Sequence, residues 1–176
     1  MRMAVCGAHE LRQGFVSWRG SHIISIQQGS LPYRGPDLGD ENHLVLDFDD
    51  VTDPSRLGAP TLAHLASAMS FIDALPSEAV LIVHCAQGVS RSTALALGLL
   101  AREVPPGRAA ALLHGLRPFA CPNPLLVRLW DELLGLDGAL IDAASPFPTL
   151  VWHDGLIPPP RTTGRRAPFD ARRSPC

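Results

Sequence analysis

The segment from Val80 to Leu100 (VLIVHCAQGVSRSTALALGLL) constrains the fold of this chain more than any other part of its sequence. It opens with continuous β-branched and apolar residues, which is typical of a strand buried in the middle of a sheet. A short loop follows, and then an apolar run with helical spacing. Backbone N–H groups and the positive end of a helix dipole converge at such a strand-to-helix turn. The segment therefore predicts an anion-binding loop.

Four residues of this loop predict its chemistry. Gly88 allows the backbone to approach a ligand closely, and Arg91 offers a planar fork that matches two phosphate oxygens. Cys85 opens the loop, where the positive field favours the nucleophilic thiolate. The hydroxyl of Ser92 can donate to that thiolate and ease its departure in a second step. These positions predict phosphoryl transfer through a cysteine.

The loop also carries a family resemblance. His84, Cys85, Gly88, Arg91 and Ser92 spell HCxxGxxRS, which resembles the active-site signature of the protein tyrosine phosphatase superfamily. The preceding apolar strand and the phrase GVSRST look most like its dual-specificity and small bacterial tyrosine-phosphatase branch. The resemblance implies an α/β fold with a central, mostly parallel sheet flanked by helices, and a phosphocysteine on Cys85. It also implies that the phosphoryl group is bound by Ala86, Gln87, Gly88, Val89, Ser90 and Arg91.

The general acid is expected in an acidic segment upstream of the loop. Leu46 to Val51 (LDFDDV) resembles the family's general-acid loop. Matched on that phrase, Asp50 protonates the leaving oxygen and later accepts a proton from the attacking water. Asp53 stays an alternative, because the family's spacing to the cysteine fits both residues. Asp47 and Asp49 are interpreted as a strand residue and a loop-solvating residue.

Downstream of the loop, a second motif resembles the family's RP…PN…L helix. It consists of Arg117-Pro118, Pro122-Asn123, Leu126 and Leu129, and it extends the resemblance over roughly residues 20–140. Asn123 is expected to cap its helix without touching substrate.

Two histidines need an interpretation. His84 is expected to orient the loop through hydrogen bonds, because a thiolate nucleophile needs no base. His64 is interpreted as a packing or surface residue of a helix. Neither histidine is expected to bind a metal, since no His/Cys/Asp/Glu cluster has metal-site spacing.

The strands and helices of the whole chain are predicted from periodicity and turn residues. Strands are predicted at Ala4–Cys6, His22–Gln27, His43–Phe48 and Ala79–Val83. Helices are predicted from Thr61 to Leu75, from Ser92 to Glu103, from Arg108 to His114, and from Pro124 to Gly135, where the glycine ends the helix. Residues 1–143 form the predicted phosphatase domain. Residues 144–176, rich in proline and arginine, are predicted to be a flexible tail without a core.

Composition and cysteine usage indicate the compartment of the protein and argue against some classes of partner. The formal net charge of −2 is too small to indicate a nucleic acid or an anionic membrane as partner. Neither a signal-peptide core nor an apolar run of membrane-spanning length occurs in the sequence. The cysteines, which are Cys6, Cys85, Cys121 and Cys176, form no CxxC pair. Reduced thiols and a cytoplasmic location are therefore expected. A protective disulfide from Cys6 or Cys121 to Cys85 is the less favoured alternative.

The variable loop residues indicate the substrate class. None of the residues from Ala86 to Ser90 is basic, which favours a singly phosphorylated substrate. Phosphotyrosine in a protein is the first expectation, and phosphoserine or phosphothreonine stays open. No cofactor is implied. The alternatives are a phosphate-binding pseudophosphatase without turnover and a rhodanese-like sulfurtransferase, which also places a cysteine in an anion loop.

Overall fold

The computed structural model describes residues 1–29, 36–149 and 169–170 of the chain. Its strands are β1 (Arg2–Gly7), β2 (His22–Gln27), β3 (His43–Asp47), β4 (Val80–Cys85) and β5 (Phe169–Asp170). Its helices are α1 (Ala8–Trp18), α2 (Leu62–Asp73), α3 (Arg91–Ala101), α4 (Pro106–Leu116), α5 (Pro124–Leu134) and α6 (Ala139–Ala144), with a short 3-10 turn at Asp40–Asn42.

One sheet organises the molecule, in the order β3-β2-β4-β1-β5. The first four strands are parallel, and β5 runs antiparallel to β1. The predicted fold class, a mostly parallel sheet flanked by helices, is confirmed. Strand β4 lies in the centre, and all of its residues are buried, which explains its continuous apolar sequence. Parallel pairing brings Gly7 at the end of β1 beside Cys85 at the end of β4.

The two faces of the sheet are covered unequally. Helix α1 packs on one face over a small cluster that includes Cys6, Leu11 and Ile82. The other helices cover the opposite face, where the larger core contains Phe48, Trp130 and the buried residues of α3. Every residue of α3 is buried, because α3 packs against β4, β1, α4 and α5. The loop between β4 and α3 is thus held at both of its ends by the core.

Local chemistry sets several helix ends as predicted. Asn123 Oδ1 accepts from the backbone N–H groups of Leu125 at 2.9 Å and Leu126 at 3.1 Å, Pro124 occupies the first turn, and Gly135 ends α5 at φ 62°. His64 Nδ1 accepts from the Thr61 N–H at 3.0 Å. Its ring lies 5.0 Å from that of Phe48, so His64 is a packing residue, as predicted.

Helices α1 and α6 were not predicted. Helix α1 begins after Gly7 without a capping side chain at that position, and the carboxylate of Glu10 instead accepts from the Gly7 N–H at 2.7 Å.

Strand β5 falls within the predicted tail. The rest of that tail beyond residue 149 lies outside the described residues. Within the described ranges, no helix has the length and apolar character needed to cross a bilayer.

Candidate active site

Cys85 ends β4 and is almost fully buried, with 3% of its surface exposed. Its Sγ accepts the backbone N–H of Gly88 at 3.2 Å, and Ser92 Oγ lies 3.3 Å away. Both contacts come from the loop and the helix that follow the cysteine. The predicted pairing of Cys85 with Ser92 is therefore present, and polar groups converge on the sulfur.

The loop folds tightly because it lies directly against the end of β1. Gly88 has φ +70°, and a Cβ at this position would lie 2.3 Å from both the Cys6 carbonyl carbon and the Gly7 nitrogen. A Cβ on Gly7 would in turn lie 2.9 Å from the backbone of Gln87. The Ala8 N–H donates to the Ala86 carbonyl at 3.1 Å. Two facing glycines are thus required, and of these the sequence had indicated Gly88 alone.

Arg91 begins α3 with its side chain buried. Its Nη1 donates to the carbonyl oxygens of Phe48 at 2.8 Å and Gln27 at 3.1 Å. Its Nε is also buried, and it has no hydrogen-bond partner among the described residues. Buried guanidinium donors are nearly always satisfied. An Nε without a hydrogen-bond partner, in the loop that is predicted to bind an anion, is therefore a donor available to an oxygen.

Asp50 lies against the loop. Its Oδ1 accepts from Ser90 Oγ and from Asn123 Nδ2, both at 2.7 Å. Its Oδ2 lies 4.0 Å from Arg91 Nε, and 13% of the side chain is exposed. Asn123 therefore does more than cap its helix, because it also joins α5 to the acidic segment.

The other three aspartates of the segment are engaged elsewhere. Asp53 is fully exposed, and its Oδ1 accepts from Ser55 Oγ at 2.7 Å and from Ser55 N–H at 2.9 Å. These hydrogen bonds lower the pKa of Asp53, which favours its ionised form. Asp47 accepts from the Gly29 N–H at 2.9 Å, and the Asp49 backbone N–H donates to Gly58 at 2.7 Å. Of the four, Asp50 is the one whose described contacts include the loop.

Helix α5 holds the acidic segment at two further points. Asn123 Nδ2 also donates to the Val51 carbonyl at 3.1 Å. Arg128 Nη2 donates to the Thr52 carbonyl at 3.1 Å. The backbone that follows Asp50 is therefore fastened to the same helix as its carboxylate.

A partly buried ion pair supports the loop from the side of α1, and the sequence did not indicate it. Arg117 Nε donates to the Gly88 carbonyl at 3.1 Å. Its Nη1 and Nη2 bind Glu10 Oε1 and Oε2 at 2.9 and 3.0 Å, and its guanidinium lies 4.3 Å from the centre of the Phe119 ring. Arg117 belongs to the predicted RP motif, but Glu10 is separated from it by most of the domain. The sequence does not show that Glu10 lies beside Arg117, and only the tertiary structure identifies this ion pair.

His84 precedes the predicted nucleophile, Cys85, and contacts polar groups on both sides of its ring. Its Nδ1 lies 3.4 Å from the Cys85 carbonyl oxygen, and its Nε2 lies 2.7 Å from Ser25 Oγ. Burial lowers the pKa of His84 to about 4, so its imidazole is neutral near pH 7. These contacts agree with the predicted orienting role.

The described cysteines are all free thiols. Cys6 belongs to the cluster under α1, whereas Cys85 belongs to the core on the other face of the sheet. Burial raises the pKa of the Cys6 thiol and also that of Cys121. A raised pKa lowers the fraction of thiolate, and a disulfide to Cys85 stays the less favoured alternative. Among the described residues, no group of three or more potential metal ligands is assembled.

Comparisons with known proteins define the fold. No protein-family model matches the sequence, and a search of curated proteins gives no match. Solved structures do match. Human DUSP28 has a TM-score of 0.59 at 20% identity, covering 76% of this chain and 90% of that one. A human tyrosine phosphatase-like serine/threonine/tyrosine-interacting protein has a TM-score of 0.62 at 21% identity, covering 77% and 92%.

A fungal structure agrees with the human ones. The Yvh1 phosphatase domain from Chaetomium thermophilum has a TM-score of 0.57 at 23% identity, covering 78% of this chain and 93% of that one. The similarity thus spans 90–93% of these solved structures and 76–78% of this chain. The chain has the fold of the dual-specificity and tyrosine phosphatases, which confirms the fold that the loop motif implied. The likeness to the small bacterial enzymes stays a prediction.

Proposed function

We propose that this chain is a cysteine-dependent phosphatase that acts on phosphorylated proteins, with phosphotyrosine as the first substrate. One observation carries the proposal. A single loop joins the Cys85 sulfur, on which polar groups converge, to a buried Arg91 Nε that has no hydrogen-bond partner among the described residues. A nucleophile and an unsatisfied anion donor in one strand-to-helix loop fit a phosphoryl group.

In the first step, the Cys85 thiolate attacks phosphorus in line with the leaving oxygen. The S–P bond forms while the P–O bond to tyrosine breaks, and the bonding pair leaves with that oxygen. Arg91 Nε and the loop N–H groups stabilise the charge on the equatorial oxygens. Asp50 supplies a proton to the leaving oxygen. Oδ2 is the oxygen suited to carry this proton, because Oδ1 already accepts two hydrogen bonds.

In the second step, water attacks the phosphocysteine. Asp50, now ionised, accepts a proton from that water, and the S–P bond breaks to release inorganic phosphate. Ser92 Oγ, 3.3 Å from the sulfur, donates to the departing thiolate. Arg91 holds the phosphoryl oxygens through both steps, and the mechanism regenerates the starting enzyme.

The loop side chains support a singly phosphorylated substrate. Ala86 and Gln87 are exposed at the loop, whereas Gly88, Val89 and Ser90 are buried. None of these residues offers a cationic side chain for a second phosphate. A phosphotyrosine is favoured over phosphoserine because a phenol is the better leaving group. The reaction needs a reduced Cys85, which fits a reducing compartment such as the cytoplasm.

The test is phosphate release from p-nitrophenyl phosphate and from a phosphotyrosine peptide, in reductant and without added metal. Cys85→Ser is expected to abolish release, whereas Cys121→Ser, the matched control at a second thiol, is expected to keep it. Rapid acid quenching of the wild type should trap a phosphate adduct on the peptide that contains Cys85. Absence of release from both substrates would overturn the proposal.

A phosphate-binding module is the second candidate, and the contacts of Asp50 favour it. Ser90 Oγ and Asn123 Nδ2 both donate to Oδ1, so the contacts of this carboxylate hold the loop and α5 together and leave only Oδ2 for a leaving group. Such a module would bind the phosphotyrosine peptide tightly without releasing phosphate. Transfer of sulfur from thiosulfate to cyanide, measured in the same preparation, would instead reveal a sulfurtransferase.

A further inference from the structure

A polar chain, buried at Ser25 and His84 and half-buried at His43, leads from the loop after Cys85 across the sheet to β3. Ser25 on β2 is fully buried, and its Oγ lies 2.7 Å from His84 Nε2 and 2.7 Å from His43 Nε2. At the other end, His84 Nδ1 lies 3.4 Å from the Cys85 carbonyl oxygen. Three neighbouring strands thus contribute one residue each to a chain that ends on the nucleophile's own peptide group.

The number of protons available to His84, Ser25 and His43 fixes which atom donates in each hydrogen bond of this polar chain. The Cys85 carbonyl oxygen can only accept, so a favourable contact requires a proton on His84 Nδ1. His84 is neutral near pH 7, because its pKa is about 4, and its Nε2 is then a bare acceptor. Ser25 must donate its single proton to that nitrogen. Its oxygen is left to accept from His43 Nε2, which must carry a proton.

The reverse direction is unfavourable. If His43 Nε2 accepted the Ser25 proton, Ser25 Oγ would have to accept from His84 Nε2–H. His84 Nδ1 would then be bare and would face the Cys85 carbonyl, so that two acceptors would oppose each other in a buried place. Unpaired buried acceptors are costly, and the low dielectric there raises that cost.

We propose that Ser25 and His43 are positioning residues for the nucleophilic loop, which hold His84 in the tautomer that donates from Nδ1 to the Cys85 carbonyl. The proposal rests on the proposed function, since it concerns the same site. With its oxygen held by His84, the peptide group after Cys85 keeps its carbonyl directed at the imidazole. The loop then starts in the orientation that leaves its later N–H groups available to the phosphoryl group.

The tautomer can be measured without any turnover. Two-bond proton–nitrogen correlation spectra of histidine-labelled protein in neutral buffer distinguish the protonated ring nitrogen from the bare one, and His84→Gln assigns the signal. We expect His84 to carry its proton on Nδ1. A proton on Nε2 would overturn the proposal, whatever the enzyme activity. If the tautomer is as expected but no phosphate is released, the proposed function fails and the positioning of His84 stands.

Variants of Ser25 and His43 test whether these residues set the tautomer of His84. Ser25→Ala is expected to give a mixture of His84 tautomers, and Ser25→Thr, which keeps a hydroxyl, is expected to restore the single form. His43→Leu removes the N–H that donates to Ser25 Oγ and should shift the tautomer of His84, whereas His43→Gln keeps an N–H near the position of Nε2 and should not. An unchanged His84 spectrum in both Ser25→Ala and His43→Leu would overturn the proposal. Either variant suffices if the other fails to fold.

The matched control is Ser21→Ala. Ser21 precedes the same strand, and its Oγ accepts from the Val80 N–H at 2.9 Å, at the end of β4 remote from Cys85. This control is expected to leave the His84 tautomer and kcat/KM unchanged. Ser25→Ala is expected to lower kcat/KM for the phosphotyrosine peptide by about three- to tenfold, as for the loss of one hydrogen bond. Equal losses in the two variants would show a merely structural role and would contradict the proposal.

Discussion

Ser90 Oγ donates a hydrogen bond of 2.7 Å to Asp50 Oδ1 and thereby joins the loop after Cys85 to the acidic segment. The same oxygen accepts from Asn123 Nδ2. Three separate parts of the chain therefore converge on one carboxylate oxygen. The other oxygen, Oδ2, is turned towards Arg91 Nε at 4.0 Å, on the side where a phosphoryl group would be held.

Replacement of Asp50 should impair protonation of the leaving group. We expect Asp50→Asn to lower kcat by about 10²–10⁴-fold, the usual contribution of a general acid. The loss should be larger for phenyl phosphate than for p-nitrophenyl phosphate, because the poorer leaving group needs the proton more. Asp53→Asn is the matched control and should change kcat by less than about twofold, as expected for an exposed residue bound to Ser55. A larger loss in the control would assign the acid to Asp53.

The contact from Asn123 can be removed while its helix cap is kept. Asn123→Ser retains an oxygen that can cap α5 but lacks the amide donor to Asp50 and Val51. We expect kcat for phenyl phosphate to fall by about three- to tenfold, the effect of losing the hydrogen bond to the Asp50 carboxylate. KM and the thermal midpoint should change little. Asp50→Asn combined with Asn123→Ser should be no worse than Asp50→Asn alone, and additive losses would contradict the link.

Gly88 has no room for a side chain. A Cβ would lie 2.3 Å from the backbone of Cys6 and Gly7, and the residue has φ +70°. We expect Gly88→Ala to lower the free energy of unfolding by about 2–4 kcal/mol and to abolish phosphate release. Gly107→Ala in α4 meets nothing within 4 Å and should instead stabilise by about 0.5–1 kcal/mol. Urea denaturation of both variants measures the contrast, and similar values would refute it.

The ion pair between Glu10 and Arg117 is predicted to support the loop. Glu10→Gln removes the charge that holds Arg117 on the Gly88 carbonyl. We expect a loss of about 2 kcal/mol in unfolding free energy, because Arg117 is left buried without its partner charge, and a lower kcat/KM. Asp73→Asn breaks the more exposed pair with Arg102 and should cost less than about 0.5 kcal/mol. Equal effects would show that the loop gains nothing from Glu10.

The neutral His84 should make stability depend on pH. Its pKa falls from 6.5 in a free chain to about 4 in the fold, so the unfolded chain binds more protons between these values. The free energy of unfolding should therefore fall by about 3 kcal/mol as pH drops from about 6.5 to 4, and should not depend on His84 below that. His22, His43 and His64, whose pKa values burial also lowers, contribute in the same direction. The difference between wild type and His84→Gln isolates His84, and parallel pH curves would contradict the prediction.

The chemistry of the loop was determined by the sequence itself. Cys85, Gly88, Arg91 and Ser92 lie within one strand-to-helix connection, so their spacing already places them around one point. The caps of α5 at Asn123 and Gly135 were equally local, because a cap depends on backbone groups a few residues away. Helix α1 was missed because its first position follows Gly7, which has no capping side chain, and the Glu10 carboxylate accepts from the Gly7 N–H instead. Gly14 also interrupts the apolar pattern of this helix.

Tertiary structure decided the rest. Asp50 and Asp53 fit the family's spacing equally and the LDFDDV phrase favours Asp50, but only the tertiary structure brings Ser90 and Asn123 into contact with Asp50. The partners Glu10 and Arg117, and likewise Ser25 and His84, come from distant segments that parallel pairing of β1, β2 and β4 brings together. Sequence periodicity reports contacts within an element. Contacts between elements depend on strand order and register, because these alone set which distant polar groups must satisfy each other once both are buried.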